Sequence, residues 1–459
     1  MGGLTAAIYL AQAGCQVKVL EARSTAGGLA SRFTIDGLTF DAGPYVLLDK
    51  PGLEWSFSEL GLSIEEEFTL RRIESVYEVG FEDEVIRCFN SEPQTTAEME
   101  AKWPGSGDLY RRFITRTGDI YQRLQPLQRK SRPRPWEVIR YGGWSGVRFL
   151  LQSLENVLKE SDLPEPVKHS LGIWTHVAGQ TIGRAPSPLA FVPSLIHRHG
   201  AFYPKGGIGV IPERLFAKAR QLGVEFCFNS EVKTIRTMNG KVTGVETGNE
   251  EWIAADTIMA NAGAIGVYLD LLQNLPEHKK RKLQNLPLQC PGVCIYLAVK
   301  GKLNSPYLRF QLPKGDELCR LLILPGIIDA DLQTDGWWPA RLLAPMRHAE
   351  AEAMGQQGQQ NFIQTLLQES WWKEGLTDFR VVTTRTPGEW GREFHLYRNS
   401  MNPVMTAEFM RRGRIAHRSP DVKGLYLAGS ATHPGQWVSF CAISGILAAK
   451  QILEAFRCS

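Results

Sequence analysis

The sequence predicts an α/β protein built on a parallel, nucleotide-binding sheet, and three observations carry that prediction. The chain opens on Gly2-Gly3, followed by a run rich in helix formers from Leu4 to Ala13. A short alternating strand, Val17 to Leu20, then ends on the acid Glu21. Two more glycines, Gly27 and Gly28, stand just beyond it in a loop flanked by Arg23 and Arg32.

Each of these has a physical reading. Gly14 is a natural stop for the first helix. Helix and strand together form the second half of a βαβ unit. In the dinucleotide fingerprint a strand precedes three glycines, and an acid follows about 20 residues on. Gly3 fits the third glycine, where a side chain would push helix and sheet apart. Glu21 fits the acid that accepts hydrogen bonds from ribose hydroxyls, and the helix N-terminus would face a pyrophosphate. Gly27 and Gly28 would let backbone pass close to a ligand, with Arg23 and Arg32 supplying positive charge for phosphate. The first strand and first two glycines of the fingerprint are absent, so the phosphate cradle is expected to be incomplete and the parallel sheet to lack a strand. A start codon assigned too far downstream is the expected reason; a chain that is short by nature and binds its nucleotide poorly is the alternative.

Composition sets the outer bounds. The 459 residues are 43% hydrophobic and 22% charged. That is ordinary for a globular protein of two or three domains, and it excludes a disordered or collagen-like chain. The net charge of +4 is too mild to mark a nucleic-acid binder. No stretch of roughly 18 to 20 unbroken apolar residues occurs, so a membrane-spanning protein is not expected. No charged region precedes the first apolar stretch, so no secretory signal is expected. The cysteines at 15, 88, 227, 290, 294, 319, 441 and 458 form no C-x-x-C pair. They read as reduced structural thiols of a cytosolic-type compartment.

Further along, residues 209 to 265 read as a helix (Val210 to Leu222), then strands Val224 to Asn229, Val232 to Met238 and Lys241 to Thr247, and the segment Trp252 to Ala260. Asn239-Gly240 between alternating strands is a strong hairpin signal. Asn261-Ala-Gly263 then returns toward the nucleotide. Val293 to Lys300 and Arg320 to Leu324 read as buried strands, and Gln359 to Trp372 as a helix. Between Arg123 and Arg148 basic residues interleave with Trp136, Tyr141 and Trp144. Val147, Leu150, Leu151, Leu154 and Leu158 then fall on one helical face. This pattern suits a membrane interface; it equally suits a core-facing helix beside a solvated basic loop. No recognised module accompanies it that would make it a nucleic-acid site. The nine histidines show no metal spacing, and no G-x-S-x-G elbow is present.

The segments Glu21-Ala-Arg23, Gly27-Gly28, Phe40-Asp-Ala-Gly-Pro44, Tyr203-Pro-Lys-Gly-Gly207 and Gly424-Leu-Tyr-Leu-Ala-Gly-Ser-Ala-Thr-His-Pro-Gly-Gln-Trp437, in that order, resemble those of the flavin-dependent carotenoid desaturases and isomerases. That group lies within the FAD superfamily of amine oxidases and protoporphyrinogen oxidase. The resemblance spans nearly the whole chain. It implies an FAD-binding, Rossmann-like domain of the glutathione-reductase type with a discontinuous α+β substrate domain. The FAD domain would comprise residues 1–89, 201–284 and 416–459, and the substrate domain 90–200 and 285–415. Carried over residue by residue, Gly2 and Gly3 would open the helix at the pyrophosphate, and Glu21 would bind the adenosine ribose. Ala22, Arg23, Gly27, Gly28, Leu29, Ala30 and Ser31 would line the pyrophosphate and the flavin edge. Val232 would offer backbone groups to adenine, and Gly429 and Ser430 would approach the ribityl chain and phosphate. Gln436, Trp437 and Val438 would face the flavin ring, and His433 would tune it or cap the last helix. Many members carry an acid where this chain has Ser430; a serine can hydrogen-bond the ribityl chain but brings no charge.

The implied activity is desaturation of a long apolar polyene such as a carotenoid, in an apolar tunnel opening toward a membrane, with oxygen or a quinone as electron acceptor. Isomerisation or saturation would use the same scaffold. No catalytic acid or base is identifiable, and no metal or nucleic acid is implied. The competing readings are an amine-oxidase-like or porphyrinogen-oxidase-like enzyme with a polar-walled pocket, and a flavin-less relative that binds pigment or lipid. The expected location is the cytoplasm or the cytoplasmic face of a membrane.

Overall fold

The computed structural model describes residues 1–176, 180–304, 306–314 and 318–457. The first helix, Gly2–Gln12, leads into the strand Lys18–Leu20, which pairs in parallel with Glu225–Cys227. A second parallel ladder joins Ile258–Ala260 to Leu425–Leu427. Among the described residues the two ladders do not pair with each other. Asn261 ties the first helix to the end of the second ladder: its Oδ1 accepts from Gly3 N at 2.8 Å, and its Nδ2 donates to Ala428 O at 3.0 Å.

The last helix, Val438–Arg457, packs against the first through small residues. Ala6, Ala7, Ala448 and Ala449 are buried, and Thr5 Oγ1 donates to Ala442 O at 2.9 Å. A methyl group on Gly445 would lie 2.0 Å from Gly2 O, so glycine is what lets the two backbones meet. By length and composition this last helix could cross a membrane, but 61% of its apolar window is buried in the core. Its hydrophobicity follows from being covered on most sides.

The Asn239-Gly240 hairpin forms as expected, both residues taking positive φ (52° and 72°) between Val232–Met238 and Lys241–Thr247. The segment 252–260 is two elements, not one. Trp252–Ala254 is the third strand of this meander, while Ile258–Ala260 joins the parallel ladder.

A seven-stranded sheet forms the second layer. Its order is Leu376–Arg385, Val293–Gly301, Trp338–Ala344, Arg320–Ile323, Leu308–Leu312, Ser75–Phe81, Glu84–Phe89. Only the Leu308–Leu312 and Ser75–Phe81 pair is parallel. Val293–Gly301 shows why such strands read as unbroken apolar runs. Val293, Ile295, Leu297 and Val299 enter one core, with Ile363, Leu366 and Trp372, while Cys294, Tyr296 and Ala298 enter another on the opposite face. Strands Ser75–Phe81 and Glu84–Phe89, which lie in the segment 1–89 expected to belong to the FAD domain, pair into this sheet. Sequential spacing could not reveal a pairing between residues more than 200 apart.

Residues 106–176 build a helical lobe around Tyr110, Phe113, Tyr121, Phe149, Leu154 and Leu171. Here the single apolar stripe expected through residues 147–158 is broken. One helix, Pro135–Leu151, ends at Gln152, and Ser153 caps a new one, Leu154–Lys159, by accepting from Asn156 N. Leu154 and Leu158 are buried, whereas Leu151 is 58% exposed. Likewise the helix expected over 359–372 starts earlier, at His348, kinks at Gly355 and ends at Gln368. Among the described residues the cysteines at 15, 88, 227, 290, 294, 319 and 441 are not joined in disulfides, and Cys458 lies outside the described residues.

Candidate functional site

A cavity of about 2950 Å³ runs from the edge of the two parallel ladders into the helical lobe. That is several times the roughly 300–1,000 Å³ of an ordinary ligand pocket. Its nucleotide end is built from the two half-motifs. Glu21 follows directly on the strand Lys18–Leu20, its backbone N donating to Cys227 O at 2.9 Å. Its Oε1 accepts from Arg23 N at 3.0 Å, which sets the carboxylate at the cavity wall. Gly27 takes φ +113°, a conformation that favours glycine, and turns the loop 26–30 along the wall.

The expected site residues Gly2, Gly3, Glu21, Ala22, Arg23, Gly27, Gly28, Leu29, Ala30, Val232, Gly429, Ser430, Gln436, Trp437 and Val438 all line this one cavity. Ser31 does not. It is buried behind the loop, where its hydroxyl accepts from Arg23 Nη1 at 3.2 Å. Arg32, expected to offer charge to phosphate, points away from the cavity into a bidentate pair with Glu213, 2.8 Å from each oxygen. Arg23 reaches the cavity, but its guanidinium is engaged by Glu393 and stacks 4.3 Å from the Phe394 ring centre. Sequence spacing placed these arginines beside the loop; the acids that claim them come from residues more than 180 positions away.

The residues present fit a dinucleotide. The cradle is made of backbone that no side chain blocks: a methyl on Gly2 would meet Asn261 Nδ2 and Cys441 O at 3.0 Å, and one on Gly429 would meet Asn261 Nδ2 at 2.6 Å. At the other end of the cradle the side chain of Gln436 carries an Oε1 that is buried and without a partner among the described residues. Such an atom calls for a donor from a ligand.

Beyond Trp437 the wall turns apolar, with Pro44, Val46, Leu189, Phe191, Val192 and Leu195 among its residues. The few polar groups here were not visible in the sequence. Asp49 lies in this wall, 3% exposed, accepting from Tyr121 Oη at 3.0 Å and Ser439 Oγ at 2.9 Å. Burial pushes its carboxyl above the usual range. The Asp-Lys-Pro sequence could have marked it as a helix cap, which it is, since it accepts from Gly52 N. Nothing in the sequence marks it as lining a cavity. Arg341 donates to Gly43 O at 3.0 Å, and Arg414 approaches Gly435; neither belongs to any motif.

His433 sits in the flavin segment, but its Nε2 meets Leu127 O at 2.9 Å, tying the C-terminal motif to the turn 125–129. Burial lowers its pKa to about 3, so it is neutral. His417 is held in the same way, its Nδ1 2.6 Å from Ser131 Oγ. His197 contacts Tyr110 Oη and Asn90 O, the ordinary partners of a core histidine.

An acid at the end of a parallel strand, a glycine cradle at two helix N-termini and one continuous cavity define a dinucleotide-binding oxidoreductase. The sequence pattern of the family described as flavin containing amine oxidoreductase matches residues 1–330. The chain belongs to that family, and its cofactor is FAD. It is 23% identical to a 4,4'-diapolycopene oxygenase of Methylomonas sp. over 99% of this chain and 96% of that protein. It is 26% identical to a zeta-carotene-forming phytoene desaturase of Myxococcus xanthus over 99% and 92%. Among solved structures, an oxidoreductase from Methanosarcina mazei superposes with a TM-score of 0.67, 16% identity and coverage of 99% and 98%. Putrescine oxidase bound to putrescine superposes at 0.66, with 17% identity and coverage of 99% and 97%.

Proposed function

We propose that this protein is an FAD-dependent oxidoreductase that desaturates a long apolar polyene of the carotenoid class, drawn from a membrane surface. The observation that carries this reading is the continuity of the cavity. One end is the dinucleotide cradle; the other is apolar and reaches the helix Pro135–Leu151, whose Val138 and Leu150 line it. The same helix exposes Trp136, Ile139, Trp144 and Leu151 to the outside, beside the exposed Arg140 and Arg148, with Arg132 and Arg134 just ahead of it. Apolar side chains and rings ringed by arginines complement an anionic lipid surface. A hydrocarbon could pass from lipid to cavity along a single helix. The curated relatives named as carotenoid enzymes support the same substrate class.

The bound flavin supplies a hydride acceptor. The apolar wall holds the chain by burial and excludes water, since a hydrocarbon offers no polar handle. Tyr45, Val46 and Trp437 border the expected ring position and would orient the polyene across it. Oxygen or a quinone would then take the electrons.

The test is turnover of phytoene-type and more unsaturated polyenes in anionic liposomes with FAD-loaded protein. Product with a red-shifted absorption and two hydrogens fewer by mass is the expected result. A product of unchanged mass would replace desaturation by isomerisation. Turnover of a polyamine but of no polyene would sink the substrate reading.

A further inference from the structure

Arg414 is a partly buried cation in the wall of the cavity, with no counter-ion among the described residues. Among the described residues no carboxylate lies within ion-pair distance of it. Among the described residues its Nη1 donates to the thioether of Met405 at 3.1 Å, a weak acceptor, and its Nε finds no partner there. Desolvation lowers its pKa to about 10, and the one group opposing that is the thiol of Cys441. His433 and His417, the nearby titratable groups, are both neutral, with values of about 3 and about 4. An isolated guanidinium in such a place costs stability unless an anion completes it.

Its position says which anion. The guanidinium lies against Gly435, where an added methyl would sit 3.3 Å from Nη2 and 3.5 Å from Nη1. The next residue is Gln436, with its unpartnered Oε1, and two residues later begins the 20-residue helix Val438–Arg457. The N-terminus of that helix adds a positive field of its own. A strong donor beside Gly435 and an orphan acceptor on the next residue therefore both precede the helix start. That pair complements the pyrimidine edge of an isoalloxazine, in which C2=O and N1 accept and N3–H donates. On two-electron reduction the charge of a flavin gathers at N1 and C2=O.

We propose that Arg414 is the counter-charge of the reduced flavin, its guanidinium at the N1–C2=O edge, with Gln436 accepting from N3–H. The assignment rests on FAD as the cofactor. It makes Arg414 an electrostatic partner that raises the reduction potential, so that an unactivated hydrocarbon can give up a hydride.

The test uses FAD-loaded wild type, Arg414→Gln and Arg414→Lys. For each, the midpoint potential of the bound flavin, the FAD dissociation constant and the thermal unfolding of the apoprotein are measured. The expected result for Arg414→Gln is a shift of the oxidised/reduced equilibrium of at least tenfold toward oxidised flavin, about 30 mV for two electrons. FAD affinity should change by less than tenfold, and Arg414→Lys should recover part of the potential. An unmoved potential overturns the proposal. So does a large loss of FAD affinity without a potential shift, which would place Arg414 on the diphosphate. Should neither variant fold, the wild type still decides. Its reduced flavin should show the spectrum of the N1-deprotonated form at mildly acid pH, and a neutral reduced spectrum at neutral pH overturns the proposal. Failure of the cofactor reading itself is distinguishable, because no flavin would then be retained at all.

Discussion

Asn261 holds the two halves of the nucleotide site together with one side chain. It joins the first helix at Gly3 N to the second ladder at Ala428 O. Asn261→Ala should leave both backbone groups unpaired beside the cavity and cost about 1–3 kcal/mol. The change would be read as a lower denaturation midpoint in urea, with weaker FAD binding in the same titration. Asn261→Asp keeps the acceptor for Gly3 N but turns an oxygen toward Ala428 O, so it should be no milder. Asp49 makes the complementary case. It is a helix cap by sequence and a buried acceptor of two hydroxyls by structure. Asp49→Leu should destabilise by about 2–4 kcal/mol, since Tyr121, Ser439 and Gly52 N all lose their acceptor. Retention of full stability would mean that these donors find other partners.

The helix Pro135–Leu151 is the element on which the membrane reading depends. Its kink at Gly143 separates Trp136 and Ile139 from Trp144 and Leu151, while Gly142 and Gly146 face Leu124 of the preceding helix. Replacing Trp136 and Trp144 by Asp should abolish co-sedimentation with anionic vesicles and leave the circular dichroism unchanged, because both rings are outside the core. Arg140→Glu should weaken the same binding in a salt-dependent way, as expected of exposed charges. Equal binding of all these variants would remove the lipid from the proposal. At the first and last helices the packing is closer. Gly445→Ala should force the two apart and cost about 2 kcal/mol or more, seen as a lowered melting temperature.

At the scale of the whole molecule, two neutral histidines make the fold acid-sensitive. His417 and His433 have folded values of about 4 and about 3, below the 6.5 of an unfolded histidine. The unfolded chain therefore takes up protons first as pH falls. Stability should be full above about pH 7.5, decline from there toward pH 3, and lose roughly 3 kcal/mol to His417 alone. His417→Asn should flatten that limb of a pH-resolved urea titration. Flavin acts in the opposite direction. At a hundredfold excess over its dissociation constant it should add about 2.7 kcal/mol, so apoprotein should melt several degrees below holoprotein.

What could be read from the chain alone follows contiguity. The first helix, the strand ending at Glu21, the loop at Gly27-Gly28, the Asn-Gly hairpin and the C-terminal motif are local patterns, and the predicted cofactor residues line the cavity except Ser31 and Arg32. Local patterns hold because backbone dihedrals, caps and turn residues are set by near neighbours. Tertiary structure alone decided which charges were free. Arg32 and Arg23 look like phosphate ligands in sequence, yet Glu213 and Glu393 occupy them, whereas Arg414, in an unremarkable basic run, is left with a thioether. It also decided that strands 75–89 belong to the seven-stranded sheet and that Asp49 faces the cavity. Side-chain partners and strand partners are separated by hundreds of residues, and no pattern along the chain encodes which of them folding brings within a few ångströms.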